Sequence, residues 1–326
     1  MELLTVEPDV RIDRHPVRDT MADDVRDGLR RNPRELPPKY FYDARGSQLF
    51  DRITTLPEYY PTRCERAILN RRAPEIVDGR QELVDLGSGT ASKTRALLYA
   101  MAAHGRLCRY VPLDVDASVV QGCALELVEL YPGLRVHGVV GDFGRDLERI
   151  PPRRRRLFAF LGGTIGNLYP KERAKFLGRL RRLMDSEDRL LLGTDLVKDP
   201  ELIEAAYNDE QGLTEAFNRN MLRVLNKGLG ADFEPEAFEH VAFFDAERSW
   251  VEMRLRAKRS QTVRIPGADL ELELADGEEI RTEISTKFTP QAVAEELHAA
   301  GLELDSFFTD DDGLFGLSVS SPSWRG

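Results

Sequence analysis

From residue 82 onward the chain alternates short apolar runs with helical ones, and that rhythm restricts the fold more than any single motif. "ELVDLGSG" reads as a strand and turn, and "SKTRALLYAMAAHG" as a helix stopped at Gly105. "CRYVPLDVD" is a second strand, "ASVVQGCALELVELYPG" a helix, and "RVHGVVGDF" a third strand. A fourth strand with a long turn, "RRLFAFLGGTIGN", leads into the helix "PKERAKFLGRLRRLM" and the strand "DRLLLGTDLV". Short apolar strands separated by helices predict a mostly parallel sheet covered on both faces, hence an α/β protein.

Beyond Lys198 the alternation stops. "PELIEAAYNDEQGLTEAFNRNMLRVLNKGLG" reads as helical, and "HVAFFDAERSWVEMRLRAKRSQTVRI" as a hairpin or meander. "LELELADGEEIRTEIS" continues it across an "ADG" turn. A helix from about Thr289, a strand and the final strand "LFGLSVSS" follow. The pattern predicts an α+β insertion over residues 199–285 that interrupts the parallel sheet.

Ahead of the sheet, residues 1–38 are polar and read as a loose start, with a helix near Thr20–Arg31 behind the candidate cap Asp19. Helices from about Ser47 and Thr62 flank "LPEYYP", and Tyr40, Tyr42, Tyr59 and Tyr60 gather there. At 326 residues the chain can hold one large domain or two modest ones. Its net charge of −10 argues against binding nucleic acid, which needs a basic face. The densest basic run, Arg153 to Arg156, reads as a solvated loop.

Cys64, Cys108 and Cys123 have no C-x-x-C spacing and suit free thiols in a reducing cytoplasm. The first residues lack a signal-type apolar core, and no apolar stretch approaches the roughly 20 residues that span a bilayer. His15, His104, His137, His240 and His298 have no metal-ligand spacing, so no metal is assigned. A cytoplasmic protein is expected, without nucleic-acid or membrane partners and working as a monomer.

The turn "DLGSGTAS" carries the first chemistry. Two glycines between a strand and a helix let the backbone turn tightly against a ligand, although an ordinary βα turn looks the same. A dinucleotide site wants a third glycine for its pyrophosphate, and Ser92 stands there. Asp85, just before the turn, could instead accept hydrogen bonds from a cationic amino-acid moiety, which S-adenosylmethionine has. Asp114 ends the second strand about 25 residues beyond the turn, where an acidic group bonds ribose hydroxyls. Asp142 and Phe143 end the third strand and could meet an adenine amino group and ring. The plain alternatives are helix-capping aspartates and a core phenylalanine.

"LPPKYFYD", "LPEYYPTR", "DLGSGTASKT", "GDF", "LGGTIGN", "LLLGTDLVKD", "AFNRNML", "FEHVAF" and "RTEISTKF" together resemble the family of histidine N-alpha-methyltransferases of the ergothioneine pathway. The resemblance runs from about residue 20 to the end. It implies a Rossmann-like class I methyltransferase sheet with an inserted α+β substrate-binding domain. In that scheme 1–61 contributes to the substrate domain, 62–198 forms the cofactor-binding core, 199–285 is the insertion, and 286–326 completes the core. The resemblance further implies S-adenosylmethionine as methyl donor and trimethylation of the alpha-amino group of L-histidine to hercynine, the first step of ergothioneine biosynthesis. Gly87, Lys93, Asp114, Asp142 and Phe143 would bind the donor. Tyr59, Asn167, Tyr207, Met253, Glu283 and Ser285 would bind histidine, with Tyr42, Tyr59 and Asn167 at the reacting amine.

Plainer readings stand beside these. Asn167 could cap the helix near Pro170, Met253 could be core, Lys93 could be surface, and Glu283 could pair with Arg281 on one strand face. Competing functions are methylation of another small amine, nicotinamide-dependent oxidoreduction, and non-catalytic binding. Oxidoreduction is disfavoured by Ser92 and by the lack of a Tyr-x-x-x-Lys pair.

Overall fold

All five residues of the strand Glu82–Leu86 are buried, which is what a central strand covered on both faces requires. The computed structural model describes residues 10–14, 20–153 and 155–323. The chain divides into two compact units. The first is built from Cys64–Leu196, the strand Val10–Arg14 and the residues from Phe288 onward; the second from residues 20–63 together with Val197–Lys287.

The first unit holds an eight-stranded sheet. Its spatial order is Val10–Arg14, Arg135–Val140, Arg109–Asp114, Glu82–Leu86, Arg156–Phe160, Arg189–Asp195, Phe315–Pro322, Leu302–Thr309. Neighbours are parallel up to Arg189–Asp195, while Phe315–Pro322 runs antiparallel to both of its neighbours. The order reverses between Glu82–Leu86 and Arg156–Phe160. Such a switch point opens a crevice at the carboxyl ends of the strands, the ligand position of doubly wound sheets. The fold is therefore Rossmann-like. Val84, Val111, Val139, Phe158, Phe160 and Leu190 form the core with the helix Pro170–Leu183.

The second unit has a four-stranded sheet and a separate hairpin. In the sheet the order is Arg34–Glu35, Glu279–Thr286, Trp250–Ala257, Phe238–Asp245. The helix Leu213–Leu229 contributes the buried Phe217, Met221, Leu222 and Leu225, spaced as one apolar face.

Several expectations need correction. The polar start is not wholly loose: Val10–Arg14 adds a parallel edge strand beside Arg135–Val140. The candidate cap Asp19 lies outside the described residues, and the first helix is Met21–Leu29. The insertion is not one meander. Among the described residues Gln261–Ile265 pairs only with Leu270–Leu274, across a tight connection in which Asp269 takes a left-handed φ of 48°. The basic run is not all solvated either. Arg156 is buried and its guanidinium lies 2.7 Å from Asp188, an acid whose other oxygen accepts the Arg156 backbone N–H. Arg154 lies outside the described residues.

Candidate functional site

In the first unit the glycine turn is shaped by backbone rather than by space. Gly87 and Gly89 have φ of 72° and 47°, the left-handed region that side chains with a Cβ resist. The Gly89 N–H donates to Asp114 at 2.9 Å, and the Asp116 N–H donates to its other oxygen at 3.1 Å. Burial raises the Asp114 pKa, and these backbone donors oppose the rise. Asp114 thus stands at its strand end with both oxygens anchored and lone pairs remaining for further donors.

Asp85 is the exception among the acidic strand ends. It is 4 % exposed, and its Oδ2 accepts from Thr94 at 2.8 Å and Tyr110 at 2.9 Å. Burial lifts its pKa to about 6. Through this oxygen the carboxylate ties the strand to the following helix.

Phe143 packs edge-on against Phe160 and Phe176, at 5.0 and 5.9 Å between ring centroids. A Cβ on Gly87 would come within 3.9 Å of that ring, so the glycine turn and Phe143 are neighbours. Asp142 receives the Gly144 N–H at 2.7 Å, which tightens the loop that presents Phe143. Lys93 is not plain surface: its ammonium lies 2.8 Å from Glu65, a fully buried acid on the helix Tyr60–Ile76. Glu65 also accepts the Gly162 N–H at 2.7 Å, joining the first glycine turn to the "LGGTIGN" turn. Asn167 closes the short helix Thr164–Asn167 after two left-handed glycines, Gly162 and Gly163. The next helix is capped at Tyr169 with Glu172, so capping does not account for Asn167.

In the second unit the four tyrosines part company. Tyr40 donates to Asp24 at 2.8 Å, and Tyr60 is fully buried beneath Lys198, whose ammonium lies 4.2 Å from its ring centroid. Tyr42 and Tyr59 instead flank one aromatic group: Tyr42 packs on Phe50 and Phe217, each at 5.6 Å, and Tyr59 on Phe50 at 6.0 Å. Asp43 fixes Tyr42 by capping the helix Ala44–Ile53 and accepting from Asn220 at 2.8 Å. Burial and the nearby Glu283 carboxylate hold the Tyr42 hydroxyl pKa well above its usual value.

Glu283 owes its aim to a β-bulge. Arg281 pairs with Arg254 and Glu283 with Met253, so two steps on one strand match a single step on the other. Thr282 is the extra residue, locked by hydrogen bonds to Asn218 at 2.7 Å and to the Met253 carbonyl at 3.1 Å. A bulge turns its flanking side chains to opposite faces. Arg281 accordingly joins Glu35 at 2.8 Å, on the face of Glu252 and Arg254. Glu283 lies on the other face with Met253 and Ser285, so pairing with Arg281 is ruled out. Burial raises Glu283 to about 7, against the pull of the nearby Lys287 ammonium.

Tyr207 donates to Ser285 at 2.8 Å, and Lys287 donates to both hydroxyls at 2.9 Å. His240 Nε2 lies 2.9 Å from the Tyr207 carbonyl and its Nδ1 2.8 Å from Asn218. Burial lowers the His240 pKa, favouring the neutral ring that this arrangement needs. Sequence reading missed Glu65 and Lys287; Glu65 lies two residues beyond "LPEYYPTR", and Lys287 lies inside "RTEISTKF".

A profile of the family described as "Histidine-specific methyltransferase, SAM-dependent" matches residues 21–322. The chain belongs to that family. It is 51% identical to the histidine N-alpha-methyltransferase of Mycolicibacterium smegmatis over 91% of this chain and 93% of that one. A histidine N-alpha-methyltransferase of Mycobacterium tuberculosis is also 51% identical, covering 91% of this chain and 94% of that protein. Ergothioneine biosynthesis protein 1 of Neurospora crassa is 35% identical over 61% of this chain, which spans 23% of that longer protein. As a member of this family the protein is a methyltransferase that uses S-adenosylmethionine. The residues of the first unit fit that donor: an anchored acid for ribose, an aromatic face for adenine, and a turn with no Cβ in the way.

Proposed function

We propose that this protein transfers three methyl groups from S-adenosylmethionine to the alpha nitrogen of L-histidine, giving hercynine and opening ergothioneine biosynthesis. The observation that carries this reading is the 51% identity to a histidine N-alpha-methyltransferase across nearly the whole chain. In this reading Gly87, Lys93, Asp114, Asp142 and Phe143 bind the donor, and Tyr59, Asn167, Tyr207, Met253, Glu283 and Ser285 bind histidine. The enzyme works as a monomer in a reducing cytoplasm, which suits the free thiols Cys64, Cys108 and Cys123. Among the described residues no helix is long and apolar enough to cross a membrane.

Bound S-adenosylmethionine supplies an electrophilic methyl carbon on a sulfonium sulfur. The histidine amine would need a free lone pair to take that carbon, its proton passing to solvent before each transfer. Holding the amine in line is then most of the work. The Tyr42 hydroxyl keeps its proton, since its pKa is raised, and so orients rather than abstracts. Neutral groups such as Tyr42, Tyr59 and Asn167 position the amine without an ion pair that would favour its protonated form. The aromatic faces around Phe50 and Phe217 tolerate the growing methylammonium charge. Glu283 and Ser285 engage the imidazole, giving selectivity over side chains that lack ring nitrogens.

Calorimetry separates this reading from its competitors. Both S-adenosylmethionine and L-histidine should bind, and NAD should not. Donor binding without histidine binding would assign the protein to a different amine substrate.

A further inference from the structure

Lys287 is 2 % exposed, yet carries an ammonium group into the second unit beside two of the proposed histidine-binding residues. Burying such a charge is unfavourable unless its hydrogens are used. Two of them go to Tyr207 Oη and Ser285 Oγ, both at 2.9 Å, and the ammonium lies 4.6 Å from the Tyr207 ring centroid. The third side of this triangle is the 2.8 Å bond that Tyr207 donates to Ser285.

Proton counting gives the triangle a polarity. An ammonium only donates, while a hydroxyl has one hydrogen and two lone pairs. Ser285 Oγ accepts from Lys287 and from Tyr207, which uses both of its lone pairs. Its own hydrogen can then only point away from the triangle. A serine without these neighbours could turn and either donate or accept; this one is a donor. On the same strand face, Glu283 offers the opposite polarity, since an ionised carboxylate only accepts.

We propose that Lys287 is a positioning residue for substrate selection: it fixes Ser285 as a hydrogen-bond donor. The site then takes a neutral imidazole in one tautomer, its bare nitrogen toward Ser285 and its N–H toward Glu283. An imidazolium, with a hydrogen on each nitrogen, would confront the Ser285 hydrogen. Rings without an acceptor nitrogen would leave that hydrogen unpaired. The inference rests on the histidine reading above and extends it to the protonation state of the bound ring.

The test uses ring-15N-labelled L-histidine bound to the intact protein with S-adenosylhomocysteine, at pH 7.5. NMR should show one pyridine-type and one pyrrole-type nitrogen, well separated, in place of the averaged signals of free histidine. Two pyrrole-type nitrogens, or signals averaged over tautomers, overturn the inference while leaving histidine binding intact. No bound histidine at all overturns the proposed function, and this inference with it. In Lys287→Met the KM for histidine should rise roughly 10- to 100-fold, with S-adenosylhomocysteine affinity unchanged. An unchanged KM, or equal loss of both ligands, assigns Lys287 a merely structural role. Should that variant not fold, the wild-type spectrum decides alone.

Discussion

Two carboxylates show how environment divides labour among identical side chains. Asp85 and Asp114 lie at the carboxyl ends of adjacent parallel strands, but Thr94 and Tyr110 bond the first while the second meets backbone N–H groups of the loops beyond. Replacing Asp114 with Ala should therefore weaken S-adenosylmethionine binding by about 1–3 kcal/mol, measured by calorimetry, because a ribose hydroxyl pair loses its charged acceptor. Unchanged donor affinity in the folded variant removes Asp114 from the site. Glu283 carries a pH signature. Its folded pKa of about 7 lies above the usual carboxylate value, so folding disfavours its ionised form. Stability is thus lost as pH rises through that window. Glu283→Gln should gain roughly 1–3 kcal/mol at pH 8, allowing for partial exposure, and progressively less toward pH 5. The same variant should raise the KM for histidine while sparing the donor. A variant with wild-type melting at pH 8 and wild-type histidine kinetics would contradict the assignment.

At the scale of elements, the bulge at Thr282 decides which side of the strand Glu283 faces. The Thr282 hydroxyl bridges Asn218 and the Met253 carbonyl. Thr282→Val keeps the shape and removes that bridge, leaving Asn218 Oδ1 without this donor. It should cost about 1–3 kcal/mol in urea unfolding and raise the histidine KM, with donor affinity preserved. An unperturbed KM would detach the bulge from the site. This element was not legible in advance. "RTEIS" alternates like any strand, and i, i+2 spacing put Arg281 and Glu283 on one face; the inserted residue reverses that and nothing in the local sequence marks it. The strands of the sheet were legible because burial on both faces leaves continuous apolar runs such as "RLLLG". The separate hairpin was not, since Gln261–Ile265 and Leu270–Leu274 alternate in the same way as strands of the neighbouring sheet. Lys287 escaped notice for a related reason: a lysine ending a strand reads as solvated until its partners on another element are known.

Over the whole molecule, the groups proposed to bind the methyl donor belong to one unit and most of those proposed to bind the amino acid to the other. In this reading donor and substrate groups can be changed separately, and each variant above should weaken one ligand while sparing the other. The groups proposed to bind the donor stand at strand ends and glycines, positions that the sequence marks because local geometry forces them. Most of the groups proposed for the amino acid were assigned only by resemblance, because Tyr42, Tyr207 and Glu283 are drawn together from distant parts of the chain. The most direct test of the account is mass spectrometry and NMR of L-histidine after incubation with the protein and excess S-adenosylmethionine. The account predicts a product with three methyl groups, all on the alpha nitrogen. A ring-methylated histidine, a product that stops at one methyl group, or unreacted histidine would contradict it.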